Sequence, residues 1–337
     1  MLDERLERYR QTAKNRDQIV SVFMLTYNRE HYLKIAIESV RKQTYQNFQL
    51  IVLDNCSEDH TEQMVTSIAD DRITYIKRAH EPDCSNSQFA MRECVTKYII
   101  ILHDDDIVCT DYLEEMVTQM ESGDYAAASS GSELINSNGD TIGYTLRTDL
   151  DGNVLYSGHD YLDLFLGQKQ PGVVYPSVIY RCDFFKTFYA FDSFKEAGPA
   201  RDTLLFFETE RAGGKIYYVN KPLIRYRIHQ TQDSNINAGY MELQLISFML
   251  KIDYYEKILR VNYKKIIDLI WNRFLGVTYK YCAGKLGKEK YQSFLQFQCI
   301  DYVCQWKKGQ YLRLKMKFIF RIKNLVKVLY RIKHRSA

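Results

Sequence analysis

The sequence predicts an α/β fold, a mainly parallel sheet flanked by helices, followed by a helical C-terminal appendage. Three observations predict it. Short apolar runs alternate with amphipathic stretches through the first half of the 337 residues, the pattern that a parallel sheet and its crossover helices impose. After the turn-like stretch Ser234 to Gly239 the texture changes to Tyr, Lys, Leu and Ile at helical spacing, with almost no turn residues until Gly284 and Gly287. The 46% hydrophobic and 26% charged residues match globular usage, suffice for a sizeable core and exclude wholesale disorder.

Taken in order, a helical extension over residues 1–17 precedes strands at Ile19–Leu25, Phe48–Leu53, Ile73–Lys77 and Tyr98–Leu102. Between them His31–Lys42, Asp59–Ala69 and Asn86–Val95 carry apolar residues at three- and four-residue spacing, as helices do. A helix at Asp111–Glu121, strands near Tyr125–Ser129 and Val178–Arg181, a helix at Arg201–Ala212 and strands at Ile216–Val219 and Leu223–Ile228 complete an α/β domain over 18–235. Helices at Met241–Leu259, Tyr263–Cys282 and Lys288–Lys307 form an appendage over 236–310, and Tyr311–Lys333 forms the last helix, within 311–337. The segment from Ser130 to Ala200 is the least patterned.

Charge and cysteine content narrow the class. The 46 Lys and Arg against 42 Asp and Glu give +4, too near neutral for a surface devoted wholly to polyanions. From Trp306 to Ala337 there are eleven basic residues and no acid, so one terminal segment holds the excess. The eight cysteines are scattered without a Cys-x-x-Cys pair, which reads as reduced thiols in the cytoplasm. The opening Met-Leu-Asp-Glu-Arg-Leu-Glu-Arg lacks the apolar core of a signal peptide. No window approaches the roughly 20 apolar residues that span a bilayer, so membrane contact is expected to be peripheral.

The most informative constellation is His103-Asp104-Asp105-Asp106, directly after an apolar strand. Adjacent carboxylates repel, and burying them unpaired is costly, so the pattern calls for a cation. A hard divalent cation, bridging one or two of these carboxylates to a substrate phosphate, meets that need at the strand end where α/β sheets bind ligands. The competing reading is a solvated turn ahead of a helix cap near Thr110 or Asp111. Asp54, ending the second strand, is placed to accept hydrogen bonds from a base or ribose, whereas Asp59 reads as a helix cap. The first strand ends in Thr26-Tyr27-Asn28-Arg29. Polar side chains thus arrive at one rim from three strands, and no Gly-rich phosphate loop is present to do the work instead.

The runs Ser21-Val22-Phe23-Met24-Leu25-Thr26-Tyr27-Asn28-Arg29 and Ser39 to Thr61, with Leu53-Asp54-Asn55-Cys56-Ser57-Glu58-Asp59 at their core, resemble the opening of family-two inverting glycosyltransferases of the GT-A fold. The resemblance covers about residues 18–235. It implies transfer of a sugar, usually UDP-linked, to an acceptor hydroxyl. It also implies that Thr26, Asn28 and Asp54 line the nucleoside pocket, with Tyr27 and Arg29 beside them. By the resemblance Asp104 falls to the ribose and Asp105 to the metal, Mg or Mn held against the diphosphate, with Asp106 in support. Many relatives have an acid where this chain has His103. By the same resemblance Asp202, in Gly198-Pro199-Ala200-Arg201-Asp202, matches the general base, with Arg201 replacing the usual acid. His229, after Leu223–Ile228, matches a residue that approaches the metal or diphosphate. Arg225 and Arg227 are read as charge for the leaving diphosphate or as solvent-facing.

The tail from Phe318 keeps one apolar helical face, with Lys317, Arg321, Lys327, Arg331 and Arg335 around the other side. This suits an anionic membrane surface or packing on the appendage; no nucleic-acid motif accompanies it. The resulting expectation is a cytoplasmic, membrane-peripheral, metal-dependent glycosyltransferase that uses a nucleotide-sugar donor and a lipid-linked glycan acceptor in surface polysaccharide synthesis. A nucleotidyltransferase and a non-catalytic scaffold of the same fold are the alternatives.

Overall fold

The computed structural model describes residues 2–80, 85–149, 151–169, 172–189, 197, 200–229, 233–284 and 286–295. The basic stretch 311–337 and residues 296–310 lie outside the described residues. Two compact units divide the chain: 1–164 with 170–191 and 205–228, and 165–169 with 192–204 and 229–337.

The first unit is built on one sheet. Strands β1 (Val20–Thr26), β2 (Phe48–Asp54), β3 (Ile73–Lys77) and β4 (Tyr98–His103) run parallel in the order β3-β2-β1-β4. They are buried almost throughout, which is why they read as continuous apolar runs rather than alternating ones. Helices α2 (Glu30–Arg41), α3 (Thr61–Thr66) and α4 (Ser85–Glu93) make the crossovers. Because the chain moves from β1 outward to β3 and then returns to β4, the carboxyl ends of β1 and β4 flank a topological switch point. The N-terminal helix α1 (Leu2–Asn15) is held by Tyr9, whose hydroxyl lies 2.7 Å from Ser21 Oγ and accepts the Val95 N–H at 3.1 Å.

Beyond β4 come β5 (Ile107–Val108), α5 (Tyr112–Glu121), β6 (Ala127–Ile135), β7 (Thr141–Tyr144), β8 (Val154–Tyr156) and α6 (Asp160–Leu166). A 3-10 turn at Tyr175–Ser177 leads into β9 (Val178–Arg181) and α7 (Cys182–Tyr189). After α8 (Arg201–Arg211), the strand β10 (Ile216–Arg227) is continuous where the sequence predicts two strands. The gap left at Asn220-Lys221-Pro222 is bridged, two register shifts around Pro222 absorbing it as an irregularity within the pairing to β6. The antiparallel β9 lies between β4 and β6, and β5 pairs antiparallel with β10.

The second unit contains α9 (Asp233–Met249), α10 (Asp253–Val261), α11 (Tyr263–Cys282) and α12 (Lys288–Leu295). The stretch Ser234 to Gly239 is therefore helical rather than a turn. A Cβ at Gly239 would meet Val277 Cγ2 at 3.1 Å and Arg273 O at 3.3 Å, so this glycine allows α9 to approach α11. The helix expected over Met241–Leu259 breaks at Ile252, whose extended backbone sets Asp253 in the first turn of α10. Tyr281 and Tyr291 stack at 4.2 Å between α11 and α12.

Candidate active site

Register places the strand ends side by side. Thr26 is paired with Asp54, Asp54 with Lys77, and Leu25 with His103. Asn28 and Cys56 adopt left-handed backbone with φ of 51° and 69°, a conformation that Asn tolerates better than most residues. The Asn28 N–H donates to Ser57 Oγ at 2.8 Å, and Asn28 Oδ1 accepts the Glu58 N–H at 2.8 Å, tying the loops after β1 and β2 together.

Asp54 is fully enclosed. Its Oδ1 accepts the Ser57 N–H at 2.9 Å and the Ser57 hydroxyl at 2.6 Å, and its Oδ2 accepts the Tyr75 hydroxyl. Burial and the Asp54 carboxylate push the Tyr75 phenol well above its ordinary range. Asp54 thus organises the β2 loop from beneath the rim. Tyr27 stands at the surface, 44% exposed, with its ring 4.9 Å from that of His80.

The acidic turn is buried: Asp104, Asp105 and Asp106 are only 3%, 5% and 4% exposed. Thr26 Oγ1 donates to Asp104 Oδ2 at 2.8 Å, and Arg29 Nη1 donates to Asp104 Oδ1 at 3.3 Å and Asp105 Oδ2 at 3.0 Å. Burial, aided by the Asp105 charge, pushes the Asp104 carboxyl up to about 6, against the opposing pull of Arg29 and Thr26. Burial and the same neighbour push Asp106 well above the usual carboxylate range.

Arg225 and Arg227, left between a diphosphate role and a solvent-facing one, both have protein partners. Arg225 pairs with Glu133 at 3.0 Å. Arg227, 3% exposed, pins the acidic turn: its N–H donates to Asp106 Oδ1 at 2.9 Å and its Nε to Asp105 O at 2.9 Å. Its Nη1 donates to Asn136 O and Ser137 O at 3.0 and 3.1 Å, and the guanidinium lies 4.8 Å from the centre of the Tyr32 ring. Strand alternation gave no hint of this, because β10 reaches under the turn.

Ligand-type atoms of His103, Asp105 and Asp106 lie within 4.8 Å of one another. Asp106 Oδ2 is buried and has no hydrogen-bond partner among the described residues. An orphaned carboxylate oxygen among crowded acids suits a hard divalent cation, so the residues fit Mg or Mn. His103, at the end of β4 with its ring 6.1 Å from that of Tyr175, was not among the predicted ligands. Asp202 and His229 fall in the second unit. Asp202 lies in the first turn of α8, where its Oδ1 accepts the Thr203 N–H at 2.7 Å. A cleft of about 750 Å³ lies against β3 rather than at this rim. Its acids are already paired, Asp70 with Arg41 and Arg72, and Asp71 with Arg16.

Residues 21–188 match the family model described as Glycosyl transferase family 2. The chain is 32% identical over 123 residues to the UDP-Glc:alpha-D-GlcNAc-diphosphoundecaprenol beta-1,3-glucosyltransferase WfgD of Escherichia coli, covering 36% of this chain and 49% of that protein. It is 28% identical over 225 residues to an uncharacterized glycosyltransferase of Haemophilus influenzae, covering 65% of this chain and 68% of that one. It is also 35% identical over 91 residues to the putative colanic acid biosynthesis glycosyl transferase WcaA of Escherichia coli K12, covering 26% and 33%. The chain spans about half the length, or less, of the first curated relatives it matches. Among solved structures, S. aureus TarS 1–349 in complex with UDP-GlcNAc superposes with a TM-score of 0.64 at 15% identity, covering 94% of this chain and 92% of that one. That likeness establishes the α/β fold as the GT-A type.

Proposed function

Because the chain belongs to glycosyl transferase family 2, we propose that it moves a sugar from a nucleotide diphosphate donor, UDP-linked, to an acceptor hydroxyl with inversion at the anomeric carbon. The observation that carries this reading is the buried Asp104–Asp106 turn, held by Thr26, Arg29 and Arg227 at the switch point between β1 and β4. The UDP donor named for WfgD and bound in TarS supports the choice of nucleotide. The diphosphoundecaprenol acceptor in the name of WfgD supports a lipid-linked glycan.

In this reading Asp54 and the Asn28–Ser57 link shape the nucleoside pocket, Tyr27 covers it, and Asp104 faces the ribose. Asp105 and Asp106 would hold Mg or Mn, with His229 approaching the diphosphate beside that ion, and Arg29 adds positive charge to the rim. A divalent ion there supplies charge that offsets the departing diphosphate. The acceptor oxygen attacks the anomeric carbon as the bond to the diphosphate oxygen breaks, and Asp202 takes the hydroxyl proton. Among the described residues no helix is long and apolar enough to cross a membrane. The basic segment 311–337 is the proposed contact with an anionic bilayer surface on the cytoplasmic face.

The deciding experiment pairs sugar transfer with donor binding. Wild-type protein is expected to turn over a UDP-sugar with a lipid-diphosphate glycan, and Asp202→Asn is expected to lose transfer by at least about 100-fold, the lower range for a positioned base, while UDP affinity stays unchanged. Transfer undiminished in Asp202→Asn removes that residue from the mechanism. Absence of UDP binding by the wild type removes the donor assignment.

A further inference from the structure

We propose that His103 ligates the ion at the acidic turn and biases this site toward Mn(II) and against Mg(II). The proposal rests on the donor reading above and adds a residue that sets metal preference.

Two independent features support it. One ligand atom from each of His103, Asp105 and Asp106 lies within 4.8 Å of the others. Bonds of about 2 Å to a common ion set such atoms roughly 3 to 4 Å apart, so small side-chain adjustments bring all three to one centre. Separately, Asp106 Oδ2 is enclosed without a partner among the described residues, an oxygen left over once the backbone N–H of Arg227 has taken Oδ1. The scaffold around the three is fixed. His103 ends a strand in register with Leu25, and the turn that follows is pinned through Asp105 O.

The chemistry then sets the preference. Mg(II) takes oxygen ligands in a demanding octahedron and gives up water reluctantly, whereas imidazole suits the first-row transition ions. A neutral ring in place of a third carboxylate also removes one negative charge, which lowers affinity for a hard cation held by charge alone. Mn(II) retains the benefit of the nitrogen bond and Mg(II) gains little from it.

The test reads the metal itself. With Mn(II) and UDP bound to the full chain, pulsed electron paramagnetic resonance is expected to show ¹⁴N coupling from one imidazole. That coupling is expected to vanish in His103→Gln and to persist in His229→Gln. A second variant, His103→Asp, restores an acid and is expected to lower the Mn:Mg affinity ratio measured by calorimetry with UDP present. Coupling that survives His103→Gln, or a ratio unchanged in His103→Asp, overturns the ligand assignment while leaving UDP-dependent metal binding intact. If the wild type binds neither metal with UDP, the donor reading and this proposal fall together, a result distinct from the other two.

Discussion

Replacing Arg227 by Met deletes three hydrogen bonds while keeping most of the side chain's volume. The guanidinium donates to the carbonyls of Asp105, Asn136 and Ser137 at 2.9, 3.0 and 3.1 Å, and it faces the Tyr32 ring at 4.8 Å. At about 1 kcal/mol net for each bond and about 1 kcal/mol for the ring contact, the loss is on the order of 4 kcal/mol. The backbone N–H of residue 227 still serves Asp106, so the site is expected to loosen rather than vanish. Removal of the positive charge also pushes the Asp106 carboxyl further toward its neutral form. Guanidinium chloride unfolding should show the destabilisation, and calorimetry with UDP and Mn(II) should show weaker binding. Arg227→Lys, which keeps the charge but not the fork, should fall between the two. A midpoint for Arg227→Met within about 0.5 kcal/mol of wild type, the range of neutral surface changes, with undiminished ligand binding refutes the pinning role.

Other expectations follow from the buried acids. Asp104 is pushed up to about 6, so metal–UDP affinity should fall by about tenfold per pH unit as the solution is taken well below that value. In Thr26→Val, which loses the hydroxyl that favours the charged form, the inflection should move upward; titration calorimetry at several pH values checks both. Glu210 accepts the N–H groups of Tyr161 and Leu162 at 2.6 and 3.2 Å, yet burial pushes it from 4.5 up to about 7. The folded chain therefore holds this proton more tightly than the unfolded chain. Its contribution to stability should decline as pH rises from about 4.5 to 7 and level off above that. Glu210→Gln should flatten that slope in urea midpoints, and a slope unaltered by the change would rule Glu210 out as its source.

The first four strands were legible because burial on both faces writes itself as near-continuous apolar runs. By contrast β5, β7 and β8 went unread, and β6 begins two residues later and ends six residues later than expected. Among the first four the agreement is close. Ile73–Lys77 matches the observed strand at both ends, and the others differ by a residue or so. The shared rim was legible for the same reason: Thr26, Asp54 and Asp104 each follow such a run. What could not be read depends on partners distant in sequence. Arg227 looks like any charged strand residue until Asp105 and Asn136 are brought against it. The Pro222 irregularity looks like a gap between two strands until β6 pairs across it. Gly239 looks like part of a turn until α11 is placed beside it. The enclosure of Asp54 was likewise hidden, since Tyr75 reaches it from the neighbouring strand.

The placement of β9 bears on how the chain matures. In space it stands between β4 and β6, yet ribosomal synthesis delivers it after both. A nascent chain that has assembled β3-β2-β1-β4 carries an open, apolar border along β4 until Val178–Arg181 emerges, and such a border recruits foreign strands. Slowed elongation ahead of that segment, or loss of a holdase chaperone, is expected to send more of the product into aggregates, whereas changes in codons downstream of residue 181 should matter far less.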